Sequence, residues 1–135
     1  MLKFISVNFE FIGGILVAIL DIKKAGELVL KQQAQPIERI DKTIRTLLDD
    51  MAETMYKANG VGLAAPQVGQ SIQVVVIDIG EGLLELINPT IIRKEGTEID
   101  TEGCLSVPEI YGEVERAAKV SVEYLNRRGK RHRIT

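Results

Sequence analysis

The chain of 135 residues has no tryptophan, one cysteine and one histidine. Aromatic residues make up 4% of it, so any core must be built from Val, Ile, Leu, Ala and Met. With Cys104 alone, no internal disulfide can form. That excludes a disulfide-stapled secreted scaffold and fits a reducing, cytoplasmic compartment. An excess of one charge is also lacking: 17 basic residues stand against 19 acidic ones, for a formal net charge of -2. A nucleic-acid partner, which needs a basic face, is therefore not expected. The one basic run, residues 127–133, is broken by Gly129 and reads as a solvated hairpin. Long hydrophobic runs are missing as well. Residues 11–20 are apolar, but they fall short of the roughly 20 needed to cross a bilayer, and no small-residue cleavage site follows them. Neither a membrane span nor a secretory leader is expected.

What is present suits one domain, with a hydrophobic fraction of 45%. Ile37, Ile40, Ile44, Leu47, Leu48, Met51 and Met55 recur at three- and four-residue steps, which predicts an amphipathic helix over residues 36–58. Pro36 suits its first turn and Asn59-Gly60 its stop, and the methionines read as core filler. Beyond it the period changes. Residues 72–79 are β-branched and read as a buried strand, 83–87 as a second ended by Asn88-Pro89, and 90–94 as a third. Residues 119–125 alternate, 126–129 turn, and 130–134 pair back. One long helix followed by short strands predicts an α+β fold rather than a parallel doubly wound one. The last strand runs to Thr135 with nothing after it to cover the sheet, so a longer parent domain is expected.

Two stretches are candidates for chemistry. In Gly60-Val61-Gly62-Leu63-Ala64-Ala65-Pro66-Gln67, glycine and alanine keep side-chain bulk away from the backbone, and Gln67 adds an amide with two donors and one acceptor. By itself, a Gly-Val-Gly after a helix is more often only a helix C-cap and turn. No Lys-Ser/Thr follows, so this is not a phosphate loop. In Glu102-Gly103-Cys104-Leu105-Ser106-Val107-Pro108, the cysteine reads three ways: a small buried hydrophobe, a thiolate ligand to a borderline metal, or a nucleophile with His132 as base.

In this order and at this separation, GVGLAAPQ and EGCLSVP resemble the first two signature motifs of peptide deformylases, enzymes that remove the formyl group from the N-terminal methionine of nascent proteins. The resemblance runs from about residue 18 onward and takes in Leu86-Ile87-Asn88-Pro89 and Arg116. It divides the chain into an unmatched segment, 1–17, and a deformylase-like domain, 18–135. It implies that Cys104 is a ligand to one divalent ion, Fe2+ first and Zn2+ or Ni2+ as alternatives. It implies that the Gln67 amide and the Leu105 backbone N–H stabilise an oxyanion. Val61, Gly62 and Gly103 would then lie along an extended N-formyl-methionyl peptide, and Glu102 would pair with Arg116. The ribosome is a further partner the resemblance suggests. The family's third motif, a His-Glu-x-x-His that brings two more ligands and the proton-shuttling Glu, is absent from these residues, whose one histidine is His132. The expectation is thus a deformylase-like fold whose 135 residues alone bind metal weakly and do not turn over. Competing with it are a non-catalytic deformylase-like remnant or binding module, and a Cys104–His132 enzyme.

Overall fold

The structure, a computed structural model, describes residues 8–135. Its centre is a single α-helix, α1, Lys42–Lys57. The stripe of Ile44, Leu48, Met51 and Met55 is buried there against Leu63, Val74, Val76 and Ile87. Leu48, Met51 and Met55 are fully enclosed, and each such side chain contributes roughly 1.5–3 kcal/mol of transfer free energy. The methionines are core, as their spacing implied.

Two residues mark the helix ends. Asp41 caps the start, its carboxylate accepting the Ile44 N–H at 3.1 Å. At the far end Asn59 takes a left-handed backbone, φ 56°, and the Gly60 N–H returns to the Met55 carbonyl at 2.9 Å. The helix therefore begins six residues after the expected Pro36. Residues 35–40 are committed elsewhere. Gln35 forms a parallel bridge with Ile72, and the Asn88 side chain takes both backbone groups of Ile37, at 2.7 and 2.8 Å.

The described residues form nine strands. β1 (Asn8–Ile12) and β2 (Ile15–Ile19) form an antiparallel hairpin. β3 (Gly62–Ala64), β4 (Val74–Ile77), β5 (Leu84–Glu95), β8 (Lys119–Leu125) and β9 (Arg131–Ile134) form one antiparallel sheet in the order β3-β4-β5-β8-β9. β6 (Glu98–Cys104) and β7 (Val107–Arg116) pair only with each other. Of the nine, β2, β3 and β4 pack against the helix. The α+β class holds, with one helix against antiparallel strands.

The strands expected at 83–87 and 90–94 are one long β5. Asn88-Pro89 does not end it. Asn88 adopts φ 51°, the register with β8 shifts between Ile87 and Thr90, and the proline passes through this irregularity. The apolar run 11–20 is mostly the β1–β2 hairpin. Val17 and Ala18 are buried, and the Ala18 N–H donates to Asp50 Oδ1 on α1 at 2.8 Å. β2 thus crosses the boundary expected between residues 17 and 18; residues 1–7 of that segment lie outside the described residues.

Candidate functional site

The two motifs meet at one end of the main sheet. Gly62–Ala64 forms β3, an edge strand paired on one side with β4. The Asp78 N–H donates to the Val61 carbonyl at 2.9 Å. In an antiparallel ladder such bonds alternate, so the N–H and C=O of Gly62 face the open edge. Val61 instead offers an exposed side chain. A 3-10 turn, Ala65–Val68, follows and carries Gln67.

The cysteine motif is the tip of the β6–β7 hairpin. Cys104 pairs with Val107 across a turn made by Leu105 and Ser106. On the return strand residues 108–110 bulge out, with Glu109 at φ 62°. No strand was expected from the sequence pattern here. The hairpin escaped it because neither face is buried: almost every residue from Glu98 to Arg116 is exposed or only partly covered, so no period-2 hydrophobic signal exists.

A strap of chain ties the two loops together. The Lys23 N–H donates to the Gln67 carbonyl at 2.6 Å, and the Ala25 N–H to the Ser106 carbonyl at 2.8 Å. Between the loops lies a cavity of about 480 Å³. Gly62, Gln67, Gly103, Cys104, Leu105 and Tyr111 are among the residues that line it. The structure therefore brings all six sequence-predicted site residues, Val61 included, to one opening.

Within it the Gln67 amide is oriented on both sides. Its Oε1 accepts the Ala64 N–H at 3.0 Å, which fixes which end is oxygen. Its Nε2 donates to Ser106 Oγ at 3.1 Å and to the exposed Cys104 Sγ at 3.6 Å. The reading of Cys104 as a buried hydrophobe is overturned by that exposure. Glycines set the spacing. A Cβ on Gly60 would fall 2.6 Å from Leu105 Cδ1, and one on Gly103 would fall 2.7 Å from the Tyr111 ring; at Gly62 the nearest atom is 3.8 Å away. A side chain at Gly60 or Gly103 would thus have to displace Leu105 or Tyr111, whereas Gly62 has room. Glu102 and Arg116 pair through two contacts, at 3.1 and 3.2 Å. That partner raises the Arg116 pKa above its ordinary value.

The histidine is elsewhere. His132 lies on β9, its Nε2 within 3.0 Å of Asn126 Nδ2 and its ring stacked on Tyr124 with centroids 5.6 Å apart. It does not line the cavity, so the Cys104–His132 pair is not formed. Among the described residues no group of three or more His, Cys, Asp or Glu converges on one point. One sulfur and one amide do not fit a catalytic metal's usual set of three protein ligands. Sequence reasoning missed Ser106, whose place in the motif carries no signal until the turn folds back on Gln67, and Tyr111, hidden in the bulged strand.

Among the described residues no helix is long and apolar enough to cross a membrane. The family model for polypeptide deformylase matches residues 19–135. A peptide deformylase of Acetivibrio thermocellus is 59% identical over 110 residues, which are 82% of this chain and 65% of that protein. One of Desulfitobacterium hafniense is 61% identical over 113 residues, 84% of this chain and 75% of that protein. The crystal structure of the Thermotoga maritima peptide deformylase superposes with a TM-score of 0.84 at 42% identity, covering 85% of this chain and 79% of that one. The chain thus spans 65–79% of the length of these relatives. Matched over most of its length in both sequence and architecture, it belongs to the polypeptide deformylase family.

Proposed function

We propose that this chain forms the peptide-binding and oxyanion side of a deformylase site, acting on N-formyl-methionyl peptides. The observation that carries it is the Gln67 amide held 3.6 Å from an exposed Cys104 sulfur, on the wall of one cavity. The family's chemistry is metal-dependent hydrolysis of the formyl amide, and Cys104 is the thiolate that this cavity offers such an ion. Fe2+ is our first expectation for its identity, with Zn2+ and Ni2+ as alternatives.

The chain's own residues divide the remaining work. Attack on the formyl carbon places negative charge on the formyl oxygen. The Gln67 N–H directed at the sulfur, together with the Leu105 backbone N–H, donates to that oxygen. Removing one such donor costs about 2.7–4 kcal/mol of barrier. The peptide lies extended along the open edge of β3, bonded to Gly62 and flanked by Val61 and Gly103, as an added strand. Residues 18–135 carry this site and residues 1–17 are an addition to it. A ribosomal partner is consistent with acting on nascent chains, although no residue of this chain is assigned to it.

The test is an NMR titration of the 15N-labelled chain with formyl-Met-Ala-Ser, and in parallel with Met-Ala-Ser. Shifts at Gly62, Gln67, Gly103 and Leu105 with the formyl peptide, and weaker ones without the formyl group, are expected. Identical responses to both peptides, or none, would sink the reading.

A further inference from the structure

Ser106 is one of two buried polar side chains in the described structure, the other being Thr54. Thr54 is explained locally, since its hydroxyl donates to the Asp50 carbonyl one turn back and accepts the Leu20 N–H. Ser106 has no such local duty. It is 5% exposed, and its Oγ accepts from Gln67 Nε2 at 3.1 Å, across a separation of 39 residues. A buried hydroxyl carries a desolvation cost that an alanine of nearly the same volume would avoid. That cost needs a compensating contact, and Gln67 is the one present.

The geometry makes the contact directional. A primary amide has one acceptor and two donors. The Ala64 N–H takes the Gln67 oxygen at 3.0 Å, which fixes the rotamer about the amide axis. Ser106 Oγ then takes one N–H, and the other is left to point into the cavity, toward Cys104 Sγ. The backbones on both sides are held by the same strap, through Lys23 and Ala25. Without the hydroxyl the amide keeps the Ala64 bond and the long contact to Cys104 Sγ, and it gains freedom about its terminal bond, a broad torsion with no strong intrinsic preference.

We propose that Ser106 is a positioning residue: its hydroxyl aims the cavity-facing N–H of Gln67 at the place where the formyl oxygen develops charge. This rests on the deformylase reading above, but its test does not use a peptide. In the 15N-labelled wild-type chain, the two Gln67 side-chain protons are expected to be well separated and protected, with a nuclear Overhauser contact from one of them to the Ser106 β-protons. In Ser106→Ala the pair should move toward the shifts of a free glutamine amide. Its exchange should quicken about tenfold, as loss of one hydrogen bond of ordinary net strength implies. The thermal midpoint should stay close to wild type, and Ser106→Thr, which keeps a hydroxyl, should restore protection. Unchanged Gln67 amide signals in Ser106→Ala would overturn the proposal. Should the alanine variant not fold, the wild-type contact decides: without it the proposal fails, and with it and Ser106→Thr protection it stands. Failure of the deformylase reading is seen separately, in the peptide titration.

Discussion

Tyr56, on the last turn of α1, donates its hydroxyl to Asp78 Oδ2 at 2.6 Å, just past the end of β4. The bond stabilises neutral tyrosine beside ionised aspartate. It pushes the Tyr56 pKa up to about 12 and holds Asp78 below the ordinary carboxylate value. For the tyrosine, the contribution to stability is complete below the unfolded value of about 10 and fades as pH rises toward 12. For the aspartate, it is present above the unfolded value near 4 and is lost as pH falls. The expected outcome is a tyrosinate absorbance step near pH 12 that Asp78→Asn moves down toward 10. A step that ignores Asp78→Asn would contradict the bond. The glycines divide at the same scale. Gly62→Ala makes only an ordinary contact, 3.8 Å from the Val76 carbonyl oxygen, and should change stability by less than about 0.5 kcal/mol. Gly60→Ala must displace the Leu105 side chain and should cost about 1–2 kcal/mol in urea denaturation. Gly60 and Gly62 look alike in Gly-Val-Gly; only the neighbour each one meets distinguishes them.

Arg127 joins three elements: its guanidinium bonds Glu85 on β5 and Asp49 on α1 from the turn between β8 and β9. Those two partners raise the Arg127 pKa well above its already high ordinary value. The Glu85 side chain is 16% exposed, so removing the arginine leaves a mostly buried carboxylate unpaired. Arg127→Ala should lose about 1–3 kcal/mol in chemical denaturation, and 1 M salt should narrow the gap by screening the pair. The basic run was read as a solvated hairpin, and the hairpin is there, but its first arginine is structural. Asn88 is the second junction. Asn88→Gly keeps the left-handed backbone and loses the two bonds to Ile37; Asn88→Ala loses the bonds and strains the backbone as well. Both should destabilise, the alanine by about 1 kcal/mol more. Equal losses would mean that φ at 88 is not a constraint. The β5 irregularity was invisible in sequence because Asn-Pro ordinarily ends a strand, and its use as a bulge depends on Ile37, 51 residues away.

At the scale of the molecule, the 135 residues place one sulfur, one oriented amide and an open strand edge around a single cavity. One thiolate does not hold a borderline divalent ion firmly. Cobalt added to the chain in stoichiometric amount should therefore give at most a weak thiolate charge-transfer band, and formyl-Met-Ala-Ser should not be hydrolysed. A strong stoichiometric band or steady turnover would contradict this. The α+β class, the main helix, its methionine core and the closing β8–β9 hairpin were all legible in the chain, because each rests on a short-range hydrophobic period or a turn residue next to it. The two motifs were legible as a family resemblance and not as geometry. What only the tertiary structure decided is how distant groups meet: the helix start, displaced by Asn88 and Ile72; the β6–β7 hairpin, which buries no face; and the clamp of Ala64, Gln67, Ser106 and Cys104. Periodicity reports which side of an element is dry. It carries no information on which two polar groups, 37 or 39 residues apart, will share a hydrogen bond once the dry sides have packed.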